Sequence, residues 1–417
     1  MSTRKLKFGY YDLAGYCSLL YYALCSLAVP LVIVAMARDL NFPLENGGMA
    51  AGGGLHVLRS VALVASLLVS SAIAGKIGMR RSMGMSITLS GVGILLCALA
   101  PQYSWLLLAL FIAGCGEGIC EALATPFVEA LHPDAPERYV NIAHSFWSVG
   151  IAVAVLFAGL LLTWGVSWRI VLGAAGGLSL AASMLFWFKP SKTPAYPEQK
   201  HETRVADVIR LTAAIVKVPR FWVYCLGMFM GAGAEFCLTF WSAAYLQLNF
   251  NATAILAGLG TGAIALGMFL GRLGIGYWAR RPEMLKYVLF WCALINIPVT
   301  LSLAFLTPDM FASRWMLFGL LFVILLIGGV CIGPYWPSLQ VYGVKNLPEL
   351  DSTHLYIYFS AMGIPGCGFF TWLMGFLGDR FGLSGAFYML PATLVLYCII
   401  VYLEGWVFPR RLPEDRQ

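Results

Sequence analysis

"GCGEGICEALATPFVEALHP", Gly114 to Pro133, sits in an apolar run of about 104–131 yet carries Glu117, Glu121 and Glu129. A run of about 20 apolar residues reaches across the hydrocarbon core of a bilayer as a helix. Backbone groups have no water to bond there, so a helix must satisfy them internally. Glu117 and Glu121 are four apart and share one helix face, which Gly114 and Thr125 extend. Pro126 cannot donate to the Ala122 carbonyl, which loosens the helix at that point. A charge at the bilayer centre costs roughly 2.5–3.5 kcal/mol. Carboxylates placed there are expected to face a cavity, a partner, or both. Glu129 lies near the end of the run, where a long side chain can reach the interface.

The rest of the chain supports a membrane reading. Of 417 residues, 60% are hydrophobic and 11% charged, against about 25% charged in a soluble domain. A soluble fold would lack the polar surface to cover itself. Twelve apolar spans can be counted: 9–36, 47–74, 82–100, 104–131, 139–164, 168–188, 219–248, 253–276, 285–307, 313–342, 352–377 and 384–408. The predicted fold class is therefore an all-α integral membrane protein. The longest interior polar segment, Lys189 to Arg220, divides the spans six and six. This gives an N-terminal bundle over 1–188, a linker over 189–220 and a C-terminal bundle over 221–417.

Net charge is +7, and its placement orients the chain. With both termini on the cytoplasmic side, 21 of the 27 Lys and Arg fall on that side and four on the other. That asymmetry follows the positive-inside rule. The expected location is a cell membrane, the inner one in a bacterium. The first apolar segment is too long for a signal peptide core and has no small-residue cleavage site. The 11 cysteines form no C-x-x-C pair and read as small buried hydrophobes. Asn251-Ala252-Thr253 fits a glycosylation sequon, a pattern that chance supplies readily.

Internal similarity points to a repeat, a common feature of transporters. "GKIGMRRSM" (75–83) after span 2 parallels "GYWARRPEM" (276–284) after span 8. Pro126 in span 4 parallels Pro337 in span 10. Glycines four apart, at 48/52, 114/118 and 267/271, are read as packing faces that let backbones approach closely.

Ionisable and polar groups near mid-span define the candidate site. Besides Glu117 and Glu121, these are Arg59 in span 2 and Glu235 in span 7. Glu235, Thr239 and Ser242 form one stripe, and Asn141, His144 and Ser148 form another in span 5. Three polar stripes on separate helices suggest a shared wet cavity. An internal network in which Arg59 neutralises one glutamate is the structural alternative. Arg272 lies near the end of span 8 and is expected to reach the interface. Trp147, Trp241 and Tyr245 offer flat faces to a solute, although such residues often serve as packing or interface anchors. There is no G-x-x-x-x-G-K-[ST], no H-E-x-x-H and no clustered Cys/His set. No ATP-driven pump, enzyme, metal, cofactor or nucleic-acid partner is indicated.

Twelve spans, the six-plus-six split and "SAIAGKIGMRR" (71–81) together resemble the major facilitator superfamily. Its loop signature is G-x-x-x-D-R-x-G-R-R. Lys76, Gly78 and Arg80 fit and Arg81 follows directly, while Ser71 replaces the first Gly and Gly75 the Asp. "EALATP" (121–126), "LHPD" (131–134), "NIAHSFWSVG" (141–150), "GAGAEFCLTFWSAAYL" (231–246) and "GPYWPSL" (333–339) are similar to the fucose–galactose–glucose proton symporter family. That resemblance implies the major facilitator fold and a proton-carrying acid, Glu121, beside a sugar site near the midplane between the bundles. The expected function is import of a small polar solute, a sugar or sugar derivative, with H⁺ favoured over Na⁺. Expected coupling acids are Glu121, then Glu235, then Glu117. Expected solute contacts are Arg59, Asn141, His144, Trp147, Glu235, Trp241 and Tyr245. The partners are the solute, the coupling cation and the lipid bilayer, with the protein a monomer. A multidrug or organic-cation efflux antiporter is the alternative, and a non-transporting membrane sensor the third reading.

Overall fold

A computed structural model describes residues 8–133, 136–198, 205–278 and 282–407. Helix accounts for 86% of them, which sets the all-α class. No strand occurs among the described residues. Eleven helices are long and apolar enough to cross a membrane, and Met389–Gly405 is a shorter apolar one. These correspond to the twelve spans.

The chain forms two compact units. Unit 1 comprises 1–41 and 58–203. Its helices are α1 (Tyr10–Asp39), the later part of α2 (Met49–Ile77), α3 (Met79–Ala98), α4 (Tyr103–Leu131), α5 (Pro136–Thr163) and α6 (Trp168–Trp187). Unit 2 comprises 42–57 and 204–417. It contains α7 (Val205–Val216), α8 (Pro219–Phe250), α9 (Ala254–Trp278), α10 (Pro282–Phe305), α11 (Arg314–Ile332), α12 (Tyr335–Lys345), α13 (Ser352–Ala386) and α14 (Met389–Val407). The tenth span is α11 followed by α12, broken at Gly333–Pro334.

The repeat read from the sequence is visible in helix pairing. In unit 1, α1 packs on α5, and α3 on α4 and α6. In unit 2 the corresponding spans pair alike, α8 on α13 and α10 on α11 and α14. Glycine sets the closest approaches. A methyl on Gly114 or Gly118 of α4 would collide with the Arg59 or Leu63 carbonyl oxygen of α2. A methyl on Gly267 or Gly271 of α9 would meet the Leu326 or Val330 carbonyl of α11. Lipid tails are as apolar as leucine, so such backbone proximity, rather than exclusion of water, holds these helices together. Gly48 differs, because its near neighbour is the Phe42 carbonyl of its own turn. Gly118→Ala should therefore cost about 1–3 kcal/mol, the usual range for overpacking. The check is a lower melting temperature of the purified protein in detergent, with Gly177→Ala, where a methyl has open space, unchanged.

Residues 42–57 belong to unit 2 for a specific reason. The Asp379 carboxylate accepts from Met49 N and Ala50 N, each at 2.8 Å, and so caps the first turn of α2. A negative charge is favourable at that end of a helix.

Candidate functional site

In unit 1 the opening question has a direct answer for Glu117. Arg59 Nε donates to Glu117 Oε2 at 2.8 Å, and Nη2 donates to Oε1. Nη1 donates to the Ser26 carbonyl at 3.0 Å. Both side chains are sealed, with 2% and 1% exposed. The guanidinium thus ties α1, α2 and α4 together, and its three donor nitrogens all point into protein. This is the internal pair named above as the structural alternative, and it removes Arg59 from the solute-facing set in this conformation. Glu117, held by two charge-assisted hydrogen bonds, is tied down in the same way.

Glu121 lies one turn further along α4 and is half-buried. It is close enough to the Tyr22 phenol of α1 for the two to interact electrostatically. Tyr22 meets the Trp147 ring edge-to-face, with centroids 4.5 Å apart. Thr125 Oγ1 and His144 Nε2 share a hydrogen bond of 2.9 Å between α4 and α5. His144 is exposed and Trp147 half-buried. Glu121, Thr125, His144 and Trp147 therefore form one half-exposed patch where α4 and α5 adjoin, with Tyr22 at its back. The Asn141 side chain lies outside the described residues. Glu129 is exposed near the end of α4.

Unit 2 holds a second acid–base pair. Arg272 Nη2 donates to Glu235 Oε1 at 3.3 Å, and Arg272 Nε donates to the Gly333 carbonyl at 3.0 Å. Arg272 therefore turns inward from α9 to α8, not outward to the interface as its position near a span end suggested. Its side chain is 35% exposed and that of Glu235 14%, so this pair is far less sealed than Arg59–Glu117. Trp241 and Tyr245 are core residues. Neither shows any exposed surface. Trp241 Nε1 donates to the Thr371 carbonyl at 3.1 Å, and the Tyr245 hydroxyl donates to the Leu303 carbonyl. Both side chains fill the interior of unit 2, which corrects the expectation that they offer faces to a solute.

Two polar clusters had not been singled out in the sequence. Glu404 of α14 accepts from Arg220 Nε at 2.7 Å, the Tyr224 hydroxyl at 2.6 Å and the Tyr342 hydroxyl at 2.8 Å. A lone glutamate in the last apolar span was the available signal. In unit 1, Asp12 Oδ2 accepts from Gly9 N at 2.7 Å, and Oδ1 bonds to His132, whose ring stacks on Tyr139. Asp12 and His132 are 120 residues apart, so no spacing rule links them.

Comparison with known proteins agrees with this architecture. Residues 15–366 match the Major Facilitator Superfamily profile. The synaptic vesicle 2-related protein of Xenopus laevis is 29% identical over 160 residues, which is 37% of this chain and 29% of that protein. The rat protein of that name is 29% identical over 118 residues, 28% of this chain and 21% of its own length. The chain thus spans under a third of the length of these relatives. Among solved structures, an inward-facing bacterial homologue of the human lysosomal transporter Spinster superposes with a TM-score of 0.75 at 18% identity, covering 97% of this chain and 98% of that one. The Escherichia coli fucose:proton symporter gives 0.61 at 18%, with 94% and 98% covered. A D-xylose-proton symporter gives 0.70 at 14%, with 94% and 96% covered. At such identities the likeness speaks for the fold alone. The profile match over most of the chain decides the rest: the protein belongs to the Major Facilitator Superfamily, a family of membrane transporters.

Proposed function

We propose that this transporter imports a small polar solute, a sugar or sugar derivative, together with a proton. The observation that carries the reading is the patch on α4 and α5. It places a titratable carboxyl, Glu121, next to hydrogen-bonding groups, Thr125 and His144, and an aromatic face, Trp147. Hydroxyl-rich rings are bound by that combination of polar groups and flat apolar surface. Glu121 is the proposed coupling acid and Glu235, whose Arg272 partner is partly exposed, is second. Glu117 is third, because Arg59 holds it. Sugar–proton symport in two of the structural neighbours adds support. Both termini are proposed to be cytoplasmic, in a cell membrane, on the distribution of Lys and Arg.

The test is uptake into proteoliposomes under an imposed pH gradient, screened over neutral sugars, sugar acids and lipophilic cations. Accumulation of a sugar or sugar acid supports the proposal. Transport of lipophilic cations alone would assign the chain to efflux, and saturable binding with no accumulation of any solute would make it a sensor.

Trp147 is also the expected optical reporter, since Trp241 is sealed in the core. Solute binding should quench tryptophan fluorescence in the wild type, and Trp147→Phe should remove most of that change. A quench of full size in the variant would place the solute elsewhere.

A further inference from the structure

We propose that unit 1 carries a binding site for a phosphate-bearing anion at the α2–α3 turn, separate from the solute path. A cavity of about 300 Å³ opens there, lined by Tyr11, Gly78, Arg80, Arg81, Lys189 and Glu198 among others. Its volume is at the low end of the roughly 300–1,000 Å³ typical of small-molecule sites.

Two observations point to a ligand. The Tyr11 side chain is 6% exposed, yet its hydroxyl has no hydrogen-bond partner among the described residues. Arg80 Nη1 is likewise buried and without a partner among them. Buried polar atoms are nearly always bonded, and two residues that line one cavity each carry a buried donor in want of an acceptor. Charge gives the acceptor its sign. Arg80, Arg81 and Lys189 bring three positive charges to the cavity and Glu198 one negative charge. The Glu198 carboxylate is already engaged by the first turn of α3, accepting from Met79 N at 2.7 Å and Arg80 N at 3.3 Å. Gly78 permits that approach, because its φ is +90° and an added methyl would press on the carboxylate. Lys189 Nζ donates to the Thr193 carbonyl at 2.9 Å.

The wall opposite α3 is a folded strap rather than a loose tail. The Tyr196 hydroxyl donates to the Phe127 carbonyl at 2.9 Å, and its ring stacks on Phe127 at 4.5 Å. Burial and the neighbouring Glu198 push the Tyr196 phenol up, so it stays a neutral donor. A phosphate group supplies oxygens enough to accept from Tyr11 and Arg80 together, and arginine forks suit it. Ile77, apolar and 38% exposed, is part of the lining. An anionic lipid headgroup and a free phosphate ester share this chemistry, and basic pockets beside membrane helices take such headgroups.

The test measures binding to the full-length protein in detergent. The probes are dihexanoyl-phosphatidylglycerol and inorganic phosphate. Arg80→Gln with Arg81→Gln should weaken binding by about tenfold or more, the scale of lost charge-assisted hydrogen bonds. Tyr11→Phe keeps the ring packing and should weaken binding several-fold with an unchanged melting temperature. Lys345→Gln, an exposed charge in unit 2, should leave affinity unchanged. Binding of the lipid probe without inorganic phosphate identifies a headgroup site, and competition by inorganic phosphate identifies a free-anion site. Wild-type affinity for both probes in the double variant and in Tyr11→Phe would overturn the proposal, as would no binding of either probe to the wild type.

Discussion

Replacing Glu121 by Gln is expected to abolish accumulation of solute against its gradient while solute exchange continues near the wild-type rate. Gln keeps the shape and hydrogen bonding of the neutral acid but cannot titrate. Exchange needs only the loaded carrier to reorient, whereas accumulation needs a proton to be taken up on one side and released on the other. The same carboxyl is one turn from Thr125, which bonds His144. A group placed there can respond both to solvent and, on the proposed function, to an occupied solute site. The experiment compares pH-driven uptake with counterflow in one preparation of proteoliposomes. Concentrative, pH-driven uptake at the wild-type rate in Glu121→Gln would move the coupling role to Glu235. The control is Glu129→Gln, an exposed site near the end of α4, which should transport normally.

The second large effect concerns folding. Arg59→Leu leaves the Glu117 carboxylate buried without its guanidinium and strips the Ser26 carbonyl of its donor. Breaking a buried pair from one side costs about 3–5 kcal/mol in soluble proteins. Monodisperse yield in detergent should fall sharply. Arg59→Leu combined with Glu117→Gln should recover part of it, because the orphaned charge is gone. Residues in direct contact couple in this non-additive way. Arg59→Leu combined with Glu121→Gln should recover much less. Normal yield in Arg59→Leu would show that the pair is not what holds α1, α2 and α4 together.

The parts of this molecule that were legible in the sequence are those governed by length and by cost. Spans of about 20 apolar residues announce themselves, because the bilayer demands that length. Glu117, Glu121, Glu235 and Arg59 stood out because a charge in hydrocarbon is costly. Their partners were harder to see. Arg59 and Glu117 lie 58 residues apart, and the sequence left Glu117 and Glu121 equally open as its partner. One turn of α4 decides between them. Arg272 looked like an interfacial residue from its place along α9, but the rotation of the helix turns it toward Glu235. Rotation is poorly encoded in membrane helices, where lipid and core are both apolar. Trp241 and Tyr245 illustrate this, since their sequence pattern fits a cavity wall as well as the buried interior they occupy. The glycine pairs were read correctly as packing faces at 114/118 and 267/271, because a missing side chain has one consequence whatever the rotation.

The most direct test of proton-coupled import follows the proton itself. Proteoliposomes are loaded with a pH-sensitive dye, with no gradient imposed, and the solute found to accumulate in the uptake screen is added outside. Symport carries solute and proton the same way, so the lumen should acidify on addition of solute and should fail to do so in Glu121→Gln. An alkaline shift on addition of a lipophilic cation, with sugars and sugar acids silent, would show that protons leave as the substrate enters and would contradict import by symport.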